Sequence, residues 1–326
     1  MTLPESAESL TSMHEIVERI RREVGKAVVA QEQVLDQILI GLLAAGHVLL
    51  EGVPGLGKTL TILALSRTFA GNFNRIQFTA DLMPADVTGH SIYDSQSSSF
   101  RLRRGPAFTN LLLADEINRA PAKTQAALLE VMQEQQISID GRAFPLAPPF
   151  MTLATQNPIE QEGTYPLPEA QLDRFLLKVV VEYPEAEDEV TLVERVTGGR
   201  KGDSLDVSAV EQVTTPETIV SLQQKIAGLV VDRRIVEYAV EVVRAAREWK
   251  TLRVGPGPRG AIALIRAGRA RAVLEGRDFV LPEDVKAVAV PCLAHRVILS
   301  PELEIEAYGA DQVIGDILDS VAAPRT

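Results

Sequence analysis

Residues 47–60 read H-V-L-L-E-G-V-P-G-L-G-K-T-L, an apolar run that passes through Gly52, Pro54, Gly55 and Gly57 into Lys58, Thr59 and Leu60. The run 47–50 predicts a buried strand and 58–70 predicts a helix, so the glycines fall on the turn between them. A glycine-rich turn in that setting folds its backbone around phosphate groups and aims its N–H groups inward. The helix N-terminus behind it adds partial positive charge. Lys58 is then expected on the β- and γ-phosphates and the Thr59 hydroxyl on Mg2+, with Gly52, Pro54, Gly55, Gly57 and Leu60 around the nucleotide.

Outward from this loop, further buried strands are predicted over 75–79, 111–114, 150–154 and 175–181, alternating with helices that include 34–45 and 122–134. That alternation is the signature of an α/β fold around a parallel sheet. Two hairpins are predicted, one with arms 91–93 and 100–102 around 94–99, the other with arms 137–139 and 143–146 around Asp140-Gly141. Neither tip carries an aromatic–hydrophobic pair.

After Tyr183-Pro184 the strand signal stops. A helix is predicted over 185–196, and the Gly- and charge-rich stretch 198–205 reads as a linker. Beyond it, Ile235, Tyr238, Ala239, Val242, Ala246 and Trp249 follow one helical stripe, and Ala263, Ala267, Ala270 and Leu274 another. Gly276 is placed as a helix stop and Pro282 as a first-turn proline. The chain is thus expected to hold an α/β core over 1–205 and an all-α domain over 206–326.

Four further places carry chemistry. The strand at 111–114 ends in Asp115-Glu116; the first carboxylate suits Mg2+, the second a general base that polarises an attacking water. The strand at 150–154 leads to Asn157, which either helps place that water or belongs to an Asn-Pro turn. Arg174, before the last strand, is a finger for a neighbour's γ-phosphate or an exposed arginine paired with Asp173. Arg259 opens a helix of the second domain and either reaches back to the phosphates or is a solvated first-turn residue.

Composition narrows the field. With 46% hydrophobic and 24% charged residues in 326, disordered and fibrous classes are out. Lys+Arg 33 against Asp+Glu 44 gives −11, so the broad positive footprint of a nucleic-acid or anionic-membrane binder is missing. The single Cys292 excludes an intrachain disulfide framework. The N-terminus lacks a signal-peptide pattern, and the longest apolar run, 38–50, is too short to span a bilayer. A cytoplasmic protein with no direct membrane insertion and no nucleic-acid partner is expected. His47 and His295 have no ligand partners at metal spacing and read as core or surface histidines.

More specific tracts then add up: V-V-A-Q from Val28 to Gln31, R-I-Q-F-T-A-D-L-M-P-A-D-V-T-G from Arg75, D-E-I-N-R-A from Asp115, A-T-Q-N-P from Ala154, E-A-Q-L-D-R-F from Glu169 and G-R-D-F-V-L-P-E-D-V from Gly276. Over nearly its whole length the chain resembles MoxR-type AAA+ ATPases. The resemblance implies a P-loop AAA+ αβα core with an all-α lid. Lys58 and Thr59 would be Walker A, Asp115 and Glu116 Walker B, Asn157 sensor 1, Arg174 the arginine finger, Arg259 sensor 2, and Gln31 part of the adenine pocket.

It further implies ATP/ADP and Mg2+ as cofactors and self-assembly into a ring, a hexamer. The expected work is chaperone-like remodelling, assembly or activation of a partner, with a VWA-domain protein as client or adaptor. Two other readings stay open: a nucleotide-gated oligomeric binding scaffold, and the motor subunit of a metal chelatase-like complex. The sequence departs from the family's usual spelling at Ala30, Gly57 and the glycines flanking Pro258-Arg259.

Overall fold

A computed structural model describes residues 5–29, 31–53, 55–96, 98–157, 163–198, 206–306 and 308–324. The expectations for Pro54, and for most of the linker 198–205, fall outside these residues.

Two helices, α1 (Glu5–Gly25) and α2 (Glu32–Leu43), precede strand β1 (Val48–Glu51), and α3 (Lys58–Thr68) follows it. Then come β2 (Phe73–Gln77), the short α4 (Pro84–Thr88), the hairpin β3 (Gly89–Asp94) and β4 (Ser99–Arg104), and β5 (Leu111–Asp115). Next are α5 (Ala122–Glu134), the hairpin β6 (Gln136–Ile139) and β7 (Arg142–Pro145), and β8 (Met151–Gln156). One turn of helix, α6 (Glu169–Leu172), leads to β9 (Leu177–Val180) and α7 (Ala186–Thr197).

The main sheet has five strands in the order β2-β5-β8-β1-β9, every neighbouring pair parallel. Successive residues of a strand point to opposite faces. Val48, Leu50, Leu111, Leu113 and Leu153 accordingly join one buried cluster, while Leu49, Leu112, Ala114 and Ala154 join the other. Burial on both faces explains why these strands read as continuous apolar runs.

Boundaries moved for identifiable reasons. β2 begins two residues before the expected 75–79, because its ladder runs from Phe73↔Leu111 to Gln77↔Asp115 and its partner ends there. Thr79 lies past the sheet, its hydroxyl turned to Asp81 (2.6 Å). β9 is shorter than 175–181, although single hydrogen bonds from Leu176 N to His47 O (2.8 Å) and from Val181 N to Glu51 O (2.7 Å) continue it at both ends.

Both hairpins form. On the arms of the first, next to its turn, Tyr93 and Phe100 are cross-strand partners with ring centroids 5.3 Å apart, and both are exposed. Asp94 at that tip is paired with Arg101 (2.9 Å).

The C-terminal part comprises α8 (Pro216–Ala227), α9 (Arg233–Glu248), β10 (Leu252–Val254), α10 (Pro258–Leu274), α11 (Pro282–Leu293), β11 (Ile298–Leu299), α12 (Pro301–Ile305) and α13 (Ala310–Ser320). It is helical as expected, with one addition, the small antiparallel ribbon β10–β11. Three- and two-residue strands are too short to show a period, so the sequence held no signal for them. The stripe Ile235, Tyr238, Ala239, Val242 and Ala246 of α9 is buried, as are Ala263, Ala267, Ala270 and Leu274 of α10, while Trp249 is half-buried at the end of its stripe. Gly276 adopts φ +69° beyond α10, where a side chain would be strained.

One hydrophobic cluster runs from Val17, Ile38 and Leu65 into Val242, Leu264 and Leu293, so the first two helices both pack against the lid, α1 also on α3 and α2 also on β9. Among the described residues no helix is long and apolar enough to cross a membrane.

Candidate functional site

The loop between β1 and α3 turns at Gly55 (φ +90°) and Gly57 (φ +74°), left-handed conformations that glycine adopts without strain. Nothing lies within 4 Å of a Cβ built on Gly55, so the loop is an open cradle of backbone. Lys58 Nζ donates to Gly52 O (2.6 Å) across it. Burial pushes the Lys58 ammonium below the ordinary lysine range, and the carboxylates of Asp115, Glu116 and Glu51 hold it up. Gln31 braces the loop from outside. Its amide donates to Leu56 O and accepts from Thr61 Oγ1 (3.1 Å).

Asp115 and Glu116 arrive at the end of β5, beside the loop. Thr155 of β8 joins them: its hydroxyl donates to Asp115 Oδ1 (2.6 Å) and accepts from Glu116 N (2.8 Å). The other Asp115 oxygen, Oδ2, accepts from Arg75 Nη2 (2.6 Å) and Nε (3.1 Å). Glu116 takes a left-handed backbone, φ +55°, a cost of about 1–2 kcal/mol for a residue with a Cβ. Its carboxylate is held by Arg119 Nε (2.9 Å).

Lys58, Thr59, Leu60, Asp115, Glu116 and Asn157, together with Gly52, Gly55 and Gly57, line one cavity of about 310 Å³. Parallel strands put their C-terminal ends on one edge of the sheet, where ligand clefts of open α/β sheets lie. Oxygen donors on Thr59 and Asp115 suit Mg2+, which takes one or two protein oxygens and completes its shell with phosphate and water. The residues present therefore fit a magnesium–nucleotide complex.

The two remaining candidates stand elsewhere. Arg174 and Arg259 line a second cavity of about 380 Å³, along with Arg266 and Arg296, and no described loop residue from 52 to 60 lines it. Arg174 Nη1 donates to Leu129 O (2.9 Å). Asp173 does not pair with Arg174. It pairs with Arg259 (3.4 Å) and with the buried Arg296 (2.8 Å), both from the lid.

The profile described as "ATPase family associated with various cellular activities (AAA)" matches residues 47–177, and that of the AAA lid domain matches 244–317. Chaperone MoxR1 of Mycobacterium tuberculosis is 43% identical over 99% of this chain and 86% of its own length. The chain belongs to the MoxR family of AAA ATPases. Protein MoxR of Methylorubrum extorquens is 32% identical over 97% of both chains. A crystal structure from Cytophaga hutchinsonii, of a protein designated an ATPase, superposes with a TM-score of 0.90 at 40% identity over 98% of both chains. This MoxR-family protein is thus an ATPase with an AAA core and an AAA lid, and nucleotide binding is part of that family assignment.

Several residues of the MoxR-family site were not singled out by sequence reasoning. Arg75 lies in a tract that carried the family resemblance, yet nothing in one dimension ties it to Asp115; the β2–β5 register does. Thr155 sits two residues before Asn157 and was hidden by its ordinary appearance in a buried strand. Arg296 lies in the H-R-V-I-L tract from His295, which also resembles the family, but nothing along the chain ties it to Asp173, 123 residues away, or Arg266 to Ala44, 222 residues away. His47 and His295 are both buried and hydrogen-bonded to backbone, His47 Nε2 to Met132 O (3.0 Å) and His295 Nε2 to Phe175 O (3.1 Å).

Proposed function

We propose that this MoxR-family ATPase hydrolyses ATP with Mg2+ in a hexameric cytoplasmic ring and uses the cycle for chaperone-like remodelling, assembly or activation of a partner protein. The observation that carries the reading is the convergence of Lys58, Thr59, Asp115, Glu116 and Asn157 on one cavity. Mg2+, held by Thr59 and Asp115, would neutralise charge on the phosphates. Lys58 binds the phosphates from the loop side, with the α3 N-terminus behind it. Glu116 accepts the proton of the attacking water, and Asn157 positions that water. Arg119, which holds the Glu116 carboxylate, must release it for that role.

Arg174 and Arg259 share a cavity apart from the loop, and this supports action of both on the nucleotide of a neighbouring subunit. Charge stabilisation at the γ-phosphate is where most of the rate of such enzymes arises. It would make hydrolysis depend on assembly.

The test is Glu116→Gln. An amide cannot accept the proton, so ATP binding is expected at near wild-type affinity with turnover lowered about 10²–10⁴-fold. Retained turnover removes Glu116 from the role. Lys58→Ala is expected to lose most ATP affinity, and unchanged affinity contradicts the cavity assignment.

For the partner we propose a VWA-domain protein, docked through the β3–β4 hairpin. Near full-length relationship to proteins named MoxR supports the class, and the exposed Tyr93–Phe100 pair supports the place. Pulldown with Glu116→Gln in ATP is expected to recover such a protein and to lose it when residues 94–99 are deleted. Recovery of no VWA-domain protein rejects the class; undiminished recovery after deletion rejects the hairpin.

A further inference from the structure

Two surfaces of this chain have unmatched apolar faces. The first is α7. At 100° per residue, Ala186, Val190, Val193 and Thr197 fall on one stripe at i, i+4, i+7 and i+11. Val190 is 58% and Val193 54% exposed. Glu189 flanks the stripe on one side, Glu187 and Glu194 on the other. An isolated helix of this length is marginal in water and draws its stability from packing of its apolar face.

The second is a groove of about 540 Å³ between α9 and α10. Its floor includes Val240, Ile262 and Ile265, of which Val240 is 41% and Ile262 56% exposed. Its rim is basic, with Arg244, Arg247 and Arg269. Among the described residues none of these three guanidiniums is in an ion pair, and Arg269 Nε is buried without a hydrogen-bond partner.

We infer that the α9–α10 groove of one copy receives α7 of a second copy of this chain. The charge signs match, an acid-flanked apolar stripe against an apolar floor with an arginine rim, on a chain whose net charge is −11. The lengths match as well. The groove follows α9 from Val236 to Arg247, about 16 Å of helix axis, and the twelve residues of α7 extend about 18 Å.

Topology makes the pairing compatible with the arginine cleft and rests on the proposed action of Arg174 and Arg259 in trans. Ile262 and Arg266 line both the groove and that cleft, so the two are one continuous surface. On the opposite side of the contact, β9 runs parallel to β1 and ends beside the phosphate loop. A Cβ on Gly52 would stand 2.5 Å from Val181 O, and α7 starts five residues after Val181. A head-to-tail contact that brings Arg174 to a neighbour's loop therefore brings the groove to the same neighbour's α7. The contact is heterologous, the type that closes into rings.

The experiment uses the full chain with two cysteine variants, Val193→Cys and Val240→Cys, each in a separate preparation. The native Cys292 is buried and its thiol is pushed up to about 12, so it does not compete. Mixed with ATP and oxidised, the two variants are expected to form a disulfide-linked dimer joining one copy of each, absent when either is mixed with wild type. In parallel, Val193→Asp and Arg244→Glu are each expected to raise the protein concentration needed for ATP-dependent assembly by about tenfold. Mixing Glu194→Arg with Arg244→Glu is expected to restore part of that loss at interfaces that pair the exchanged charges.

Assembly at the wild-type concentration with no cross-link overturns the pairing and assigns the groove to a partner other than this chain, while leaving the ring intact. No assembly and no cross-link overturns both. A cross-link with no dependence of hydrolysis on assembly upholds the pairing and contradicts action in trans.

Discussion

Arg75 and Asp115 meet across the β2–β5 ladder, and both guanidinium donors, Nη2 at 2.6 Å and Nε at 3.1 Å, fall on the same carboxylate oxygen, Oδ2. That oxygen belongs to the residue proposed to hold Mg2+ with Thr59. A protein cation thus occupies the carboxylate that a metal would need. The Arg75 side chain is half exposed, and an ion pair so placed contributes only ~0–1 kcal/mol, small enough for a divalent ion to displace.

Arg75→Ala is expected to lower the Mg2+ concentration giving half-maximal ATP hydrolysis by about two- to fivefold, the equivalent of up to ~1 kcal/mol. Magnesium titration of the hydrolysis rate measures it. A raised requirement shows instead that Arg75 supports the bound complex.

Arg174→Ala and Arg259→Ala are each expected to bind nucleotide and to lose about 10³-fold or more in turnover. Mixed with Lys58→Ala subunits, either should regain activity at interfaces that join an intact loop to an intact arginine. If Arg259 served its own subunit's nucleotide, the Arg259→Ala mixture would show no recovery, because each subunit would carry one defect at its own site. Co-assembly is checked by mass before the rates are compared.

Asp284 explains the G-R-D-F-V-L-P-E-D-V tract. Its buried carboxylate accepts from Arg277 Nη1 (2.7 Å) and Nη2 (2.6 Å) and from Leu281 N (2.8 Å), tying the turn after α10 to the start of α11. Asp284→Ala strands a guanidinium at the edge of the lid core and is expected to destabilise the protein by about 3–5 kcal/mol. Denaturant unfolding measures it, and a loss below about 1 kcal/mol removes the pair from that role.

His47 sets a pH dependence. Burial lowers its imidazole to about 4. Its Nδ1 accepts from Thr152 N (3.0 Å), which requires the ring to be neutral. Between about 4 and the ordinary histidine value near 6.5, the unfolded chain takes up a proton that the folded chain refuses, so stability falls as pH falls through that window. The loss reaches about 3 kcal/mol by pH 4 for this group alone. Burial pushes His295 well below its ordinary value too, adding loss of the same sign. Unfolding at pH 7 and pH 5 measures the slope. His47→Gln is expected to flatten it, and an unchanged slope assigns the dependence to other groups.

What could be read along the chain was whatever depends on neighbours in sequence. The strand–loop–helix at 47–70, the carboxylates ending β5 and the stripes of α9 and α10 all follow from local geometry, where periods of two and of about 3.6 residues report burial directly. The length of β2 was not local, because β5 decides where its ladder stops. The same holds for the site. Lys58, Thr59, Asp115, Glu116 and Asn157 were legible because the chain carries each to the same edge of a parallel sheet. Their keepers, Arg75 on the Asp115 carboxylate and Thr155 between that carboxylate and the Glu116 N–H, reach across strands and leave no spacing to read, and Gln31, named only through the family resemblance, braces the loop from behind.

The arginines divide most sharply. Sequence placed Arg174 and Arg259 as candidates and left Arg259 open between reaching back to the phosphates and standing solvated in a first turn. The tertiary structure brings Arg259 to Asp173, 86 residues away, and into the cleft that Arg174 lines. Sequence determined which groups carry charge and which segments bury apolar surface. Only folding decided which charges face one another, because Coulomb forces and hydrogen bonds act through space over a few ångströms, whatever the distance along the chain.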